Sequence, residues 1–248
     1  MTRPPIRVLS LNVHKGFGFF NRRLILQELR EAVRAVAADV VFLQEVVGTH
    51  AHHALRHSNW PTMSQYEYLA DTLWSDHAYG RNAVYPHGHH GNALLSRFPI
   101  SYHRNHDVSV HGDEARGFLH CVLDVPGGAL HAVCVHLGLL ESHRRGQLER
   151  LCGLIEGDVP ASAPLVVAGD FNDWRKRAHA RLLRCAGLQE VFVAATGRAA
   201  KTFPARWPLL ALDRIYVRHP RSAHPLPLPS RPWSHLSDHA PLAAELAW

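Results

Sequence analysis

The sequence predicts an α/β protein, and three observations predict it. An apolar, β-branched run, Ile6 to Val13, leads through a helical pattern at 24–37 to a second apolar run, Val40 to Leu43, a strand–helix–strand opening. Further short apolar runs follow, interleaved with two more stretches of helical periodicity. Many of these runs carry a polar residue at one end, as sheets with a site at their mouth do. The 248 residues are 46% hydrophobic and 19% charged, enough for one large core. No linker composition interrupts them, so one domain over 1–248 is expected.

The elements follow in order. Residues 24–37 place Ile25, Leu29, Val33 and Val36 at helical spacing, with Gln27, Glu28, Arg30 and Glu31 mostly opposite. Val40 to Leu43 is a second strand, too short and too uniformly apolar for an edge, and it ends in Gln44-Glu45-Val46. The polar, His-rich segment 48–65 reads as a loop or short helix, and Tyr66 to Tyr85 as a strand pair. His87, His89 and His90 lack zinc-finger spacing and a nearby Cys; they read as a polar loop feeding a strand at Asn92 to Ser96. Strands are expected at Ile100 to Val110, Arg116 to Val125 and Leu130 to His136, the last two joined by Pro126-Gly127-Gly128. Arg144 to Ile155 is helical. Leu165 to Ala168 is a buried strand that ends at Gly169-Asp170-Phe171-Asn172, and a helix over 176–187 stops at Gly187. A strand at Leu212 to Val217, a Pro-rich connection from His224 to Trp233 and a last strand at Leu242 to Trp248 complete the chain.

Composition narrows the function classes. There is no apolar run of 18 residues, so no spanning helix is expected. Met1-Thr2-Arg3-Pro4-Pro5 leads into a strand and lacks the apolar core of a signal peptide. Cys121, Cys134, Cys152 and Cys185 form no Cys-x-x-Cys pair and read as small buried hydrophobes, which points to a reducing compartment and a cytoplasmic protein. The net charge of +6 and pI near 9.5 suit a polyanionic partner, although the basicity is nearly all Arg. With 21 histidines, no single one is a clue without informative neighbours.

The polar residues near the ends of apolar strands are Asn12, Glu45, His136, Asp170 with Asn172, Asp213, and Asp238 with His239. Singly each reads as structural; together they point to one convergent site. The ordered set Leu11-Asn12, Gln44-Glu45, Gly91 to Ser96, Val135-His136-Leu137, Gly169 to Asn172, Leu212 to Ile215 and Ser237 to Pro241 closely resembles the endonuclease/exonuclease/phosphatase superfamily, which includes deoxyribonuclease I. The resemblance runs in family order from residue 11 to residue 241. It implies a four-layer α/β sandwich, two mixed sheets face to face with helices outside.

The resemblance also implies a chemistry: hydrolysis of a phosphoester by in-line attack of an activated water. Glu45, with Asn12 and Asp238, would hold Mg²⁺, with Mn²⁺ as an alternative, because hard oxygen ligands suit such ions. Asp170 would orient and deprotonate the water, and Asn172 would position it or donate to the phosphoryl oxygens. His239, oriented by Asp213, would neutralise the phosphate. His136 would donate to a phosphate oxygen or serve as general acid. Arg116 falls where many members keep a supporting arginine; it also fits a surface charge at a strand edge. The chain departs from AP endonucleases at His14-Lys15-Gly16, where they show an acidic residue and Gly. It also shows no counterpart of the carboxylate that partners the first catalytic His of deoxyribonuclease I.

Two substrate classes follow. Arg175-Lys176-Arg177, directly after Trp174, could meet successive phosphates, and with the basic balance favours nucleic acid. Phe203 to Ala211, with Trp207 and Leu209, could contact a membrane interface if exposed, which favours a lipid or small metabolite. A non-catalytic scaffold is disfavoured by the complete acid and amide set, and no protein partner is implied.

Overall fold

The computed structural model describes residues 4–18, 23–110 and 114–248, so Met1, Thr2 and Arg3 of the N-terminal segment lie outside the described residues. The first half of the chain runs β1 (Ile6–Asn12), a 3-10 turn (His14–Gly16), α1 (Leu26–Val36), β2 (Val40–His50), α2 (Ala51–Arg56), α3 (Gln65–Ala70), β3 (Asp76–Tyr85) and β4 (Gly88–Ser96). The second half runs β5 (Ile100–Asp107), β6 (Gly117–Val125), β7 (Gly128–His136), α4 (Glu141–Asp158), β8 (Leu165–Asp170), α5 (Ala178–Ala186), β9 (Gln189–Glu190), α6 (Val191–Thr196), β10 (Asp213–Arg218), β11 (Ser222–Leu226), α7 (Trp233–Leu236) and β12 (Leu242–Ala247).

The strands form two six-stranded sheets, ordered β11-β12-β1-β2-β4-β3 and β5-β6-β7-β8-β10-β9. Both are mixed: β1 pairs β2 and β7 pairs β8 in parallel, and the other pairings are antiparallel. Side chains alternate between two environments along each inner strand. Val8, Val40 and Phe42 meet Cys121, Ala132 and Val166 between the sheets, whereas Leu9, Val41 and Leu43 face outward under α1 and α3. On the second sheet Val133, Val135 and Val167 face outward under α4 and α5. Helix, sheet, sheet and helix make four layers. Coverage on both faces explains why the central strands read as unbroken apolar runs.

Several elements differ from the sequence expectation, each for a visible reason. Tyr66 to Tyr85 holds one strand and a helix, not a strand pair. Ser64 and Glu67 form a reciprocal capping box that starts α3, and Gln65 is drawn inward to bond Val47 N and Lys15 O. The Pro-rich stretch begins within β11, which sits at a sheet edge where Pro225 need donate no ladder bond on its free side. Four free buried cysteines are not found. Cys152 on α4 and Cys185 on α5 are joined by a disulfide across 33 residues, and Cys185 is exposed; Cys121 and Cys134 are buried free thiols. Helix packing brings that pair together, and no spacing rule announces it. Cysteine usage therefore no longer argues for a reducing compartment. Among the described residues no helix is long and apolar enough to cross a membrane.

Gly169 shows how the fold constrains the chain beside the site. Its φ is +146°, and a Cβ there would lie 2.0 Å from the Val135 carbonyl oxygen across the β7–β8 ladder. Gly169→Ala is therefore expected to cost on the order of 3 kcal/mol or more, roughly 10 °C in melting temperature for a chain this size. Gly187→Ala, at φ +63° with no atom within 4 Å, carries only the backbone term and should cost about 1 kcal/mol. Calorimetry of the two variants checks the contrast; equal losses would remove the steric argument.

Candidate active site

The inner strands of both sheets deliver their polar residues to one end of the sandwich. Register does much of the work: Asp170 lies opposite His136 on β7 and opposite Asp213 on β10. From the other sheet, β1 ends at Asn12 beside Gln44, and Asn12 Nδ2 reaches Glu45 Oε1 at 3.3 Å and Asp170 Oδ2 at 3.3 Å. That amide bridges the two sheets at the site. Asp170 Oδ2 also lies 3.5 Å from His136 Nε2 and 3.8 Å from His239 Nε2. Its second oxygen accepts the Asn172 backbone N–H at 2.9 Å. Asp213 Oδ2 bonds His239 Nδ1 at 2.9 Å, which leaves the imidazole's other nitrogen turned toward Asp170.

Glu45 does not follow the end of its strand, as the sequence suggested. β2 continues to His50, and Glu45 sits on a bulge between Leu43 and Val46, where two residues oppose one on β4. Its φ is +58°, and that of Asn172 is +48°, both rare for residues with a Cβ. The surrounding ladders hold both in place, a pattern that clusters at functional sites.

Electrostatics separates the two central groups. Burial lifts the Asp170 pKa to about 6; the His239 charge pulls it back and the Asp213 carboxylate adds to the rise. Burial alone would depress His239, but Asp213 and Asp170 outweigh it and raise that imidazole to about 10. His239 is thus a cation at neutral pH. His136, buried, is pushed well below the usual imidazole range by burial and then by the Arg116 charge.

Two neighbours were missed in the sequence. His14 Nδ1 lies 3.1 Å from Asp238 Oδ2; that hydrogen bond raises His14, and it holds Asp238 low against the opposing effect of burial. Ser237 Oγ donates to the Asn12 carbonyl at 2.7 Å and accepts the His239 N–H at 3.2 Å, tying the last motif to the first. The signal was sequence adjacency, His14 two residues after Asn12 and Ser237 directly before Asp238. A chain so rich in histidine hides the first of these. Lys15 Nζ stands 3.9 Å from Glu45 Oε2. Arg116 is mostly buried, not a surface charge; its Nε donates to the Leu137 carbonyl at 3.3 Å, which also accepts Asn172 Nδ2 at 2.9 Å.

The loops around this cluster are apolar at their tips. Leu139, Leu140, Trp174, Trp207, Leu209 and Leu210 are exposed. They follow β7 and β8 or precede antiparallel β10, so all project from the same end. Phe203 packs its ring 5.0 Å from that of His239, and Ala205 N donates to the Asp238 carbonyl at 2.7 Å. A groove of about 750 Å³ opens three residues along β2 from Glu45, lined by Trp60, Met63, His87 and His89.

Two mixed sheets face to face, with this carboxylate and imidazole cluster at one end, define a phosphoesterase fold of the DNase I-like type. The chain belongs to the endonuclease/exonuclease/phosphatase family, whose model matches residues 9–239. It is 58% identical over 242 residues to the uncharacterized protein YbhP of Escherichia coli (strain K12), covering 97% of this chain and 95% of that one. Its fold is similar to the crystal structure of an endonuclease/exonuclease/phosphatase from Beutenbergia cavernae DSM 12333, with a TM-score of 0.79, 21% identity, and coverage of 99% of this chain and 72% of that one. It is also similar to D. rerio TDP2 complexed with a single strand DNA product, with a TM-score of 0.70, 17% identity, and coverage of 98% and 99%.

Proposed function

We propose that this protein is a metal-dependent phosphodiesterase that cleaves nucleic acid by in-line attack of water. One observation carries the reading: Asp170 Oδ2 is ringed by Asn12, His136 and His239, with Asp213 directly behind His239. An acid lifted by burial and an imidazole held cationic, side by side, form a base and an electrostatic clamp.

The donor set fits a hard divalent cation. Glu45 and Asp238 offer carboxylate oxygens, no thiolate is near, and their present partners are Lys15 and His14. Asn12 braces Glu45 through Nδ2, and its Oδ1, which accepts the His14 N–H at 3.0 Å, keeps a second lone pair to offer as a third ligand. Bound there, Mg²⁺ or Mn²⁺ supplies charge neutralisation at a phosphoryl oxygen. The protein's own groups do the rest. Asp170 orients the attacking water and takes its proton. Asn172, pinned through its amide to the Leu137 carbonyl, positions that water. His239 neutralises the phosphate, and His136, kept neutral, donates a hydrogen bond to a phosphate oxygen or to the leaving oxygen. Arg116 adds positive charge behind His136.

Nucleic acid is favoured by Trp174 and Arg175, exposed just past Asn172 with the guanidinium 4.6 Å from the ring centroid. An aromatic face beside arginines suits stacked bases and successive phosphates. A second reading, a phospholipid or small-metabolite phosphoesterase touching a membrane surface, is favoured by the exposed Leu139, Leu140, Leu209 and Leu210, because aliphatic side chains give bases no stacking platform. A parallel assay on single-stranded DNA, RNA, phospholipid vesicles and phosphate monoesters separates the two. The expected result is nucleic-acid cleavage with Mg²⁺, abolished by EDTA and weakened steeply by salt. Cleavage confined to vesicles would establish the second reading instead.

A further inference from the structure

The second sheet carries another cluster of titratable groups on its outer face. His106 on β5 lies opposite Phe118, and His120 on β6 lies opposite Val133, both of which belong to the core beneath α4 and α5. His131 on β7 shares that face, two residues from Val133. His136 has the opposite parity and belongs to the active site. Asp158 is the last residue of α4.

The contacts within this cluster are incomplete. His120 Nε2 lies 3.0 Å from His131 Nδ1, and His120, only 1% exposed, leaves its Nδ1 buried without a hydrogen-bond partner. His106 Nε2 is likewise buried without a hydrogen bond; Asp158 Oδ2 stands 3.9 Å away. One ligand atom each from His106, His120 and Asp158 lie within 4.8 Å of one another. Two orphaned ring nitrogens are costly. A carboxylate at the C-terminal end of an 18-residue helix with no basic residue in its last turn opposes the helix dipole. A single cation among the three groups relieves all of these.

We propose that His106, His120 and Asp158 form a second metal site, selective for Zn²⁺ or a similar imidazole-binding divalent ion. Two imidazoles and a carboxylate disfavour Mg²⁺ and Ca²⁺, which take oxygen. Tetrahedral bonds of ~2.0–2.1 Å set ligand spacings of ~3.3 Å, and rotation of the partly exposed His106 and Asp158 side chains closes the difference. With His131 Nδ1 as the acceptor of the hydrogen bond between the two rings, His120 carries its proton on Nε2 and turns a free Nδ1 to the ion, the part outer-shell groups play in metal sites. Arg104, opposite His120 on β5, is exposed to solvent, and the buried Arg218 lies on the His131 side of the cluster. The half-exposed Asp158 carboxylate leaves the ion an entry path and a fourth position for water. The ion ties edge strand β5 to the end of α4.

The test is zinc titration of the metal-stripped full chain against a chelator of known affinity, with Co²⁺ absorption as a second readout. The expected result is one tight zinc equivalent and tetrahedral Co²⁺ bands, retained in Glu45→Gln. Affinity should fall ~100-fold or more in His106→Ala and in Asp158→Asn, and ~10–100-fold in His131→Phe. His106 and Asp158 are partly exposed, and circular dichroism checks that their variants fold. Zinc should raise the melting temperature of wild type but not of these two variants. Absence of a tight equivalent, its loss in Glu45→Gln, or its persistence in both ligand variants overturns the proposal.

Discussion

Asp170→Asn is expected to lower kcat by on the order of 10³-fold or more with the fold intact, because the side chain keeps its shape and loses its basicity. The stability response separates this from simple damage. Burial raises the Asp170 pKa to about 6, above its unfolded value, so the stability linked to its proton is fully present at low pH and is lost as pH rises through about 6. At pH 7.5 the metal-free wild type therefore holds an ionised carboxylate that the fold disfavours. The neutral isostere should melt no lower than wild type at that pH, and wild type should gain on it as pH falls below 6. Such a trade of stability for function is usual where a buried group serves chemistry. Single-turnover cleavage and melting curves on the same samples check both halves. Near-normal turnover would remove Asp170 from the reaction.

The sequence showed the layers more readily than it showed the site's shape. The unbroken apolar run Val40 to Leu43 announced a strand away from the sheet edge, where β2 lies, and α1 announced itself through Ile25, Leu29 and Val33. The order of short polar motifs announced which residues converge, and the structure brings Asn12, Glu45, His136, Asp170, Asn172, Asp213 and His239 into one hydrogen-bonded or close-contact group. Asp238 joins them through Ser237 and His14. What stayed hidden depends on contacts between distant segments. The bulge that lifts Glu45 out of β2 arises from a one-residue mismatch with β4, which no local pattern records. The Cys152–Cys185 pair depends on how α4 meets α5. The His106, His120 and Asp158 cluster joins two strands and a helix end, so its spacing along the chain resembles no metal motif. The capping box at Ser64 and Glu67 is a local signal for α3 that a strand reading of Tyr66 to Tyr85 passes over.

His239 and Asp213 are expected to behave as one unit. His239→Ala should reduce kcat by roughly 10²–10³-fold, since it removes a buried donor aimed at developing charge. Asp213→Asn should cost a comparable factor although Asp213 lies behind the imidazole. Its carboxylate lies 2.9 Å from Nδ1 and is the main influence that keeps the buried ring cationic against desolvation. An asparagine there neither supplies that charge nor enforces the ring's orientation toward Asp170. If the two act in series, the double variant should be no slower than His239→Ala alone, because the second substitution removes support from a group already absent. Independent roles would instead multiply the two losses. The split between kcat and KM adds a second reading. Charge stabilisation confined to the transition state lowers kcat at nearly constant KM, whereas a mere phosphate anchor raises KM and leaves kcat. A multiplicative double variant together with a KM effect would recast His239 as a binding residue and leave Asp170 to act without it.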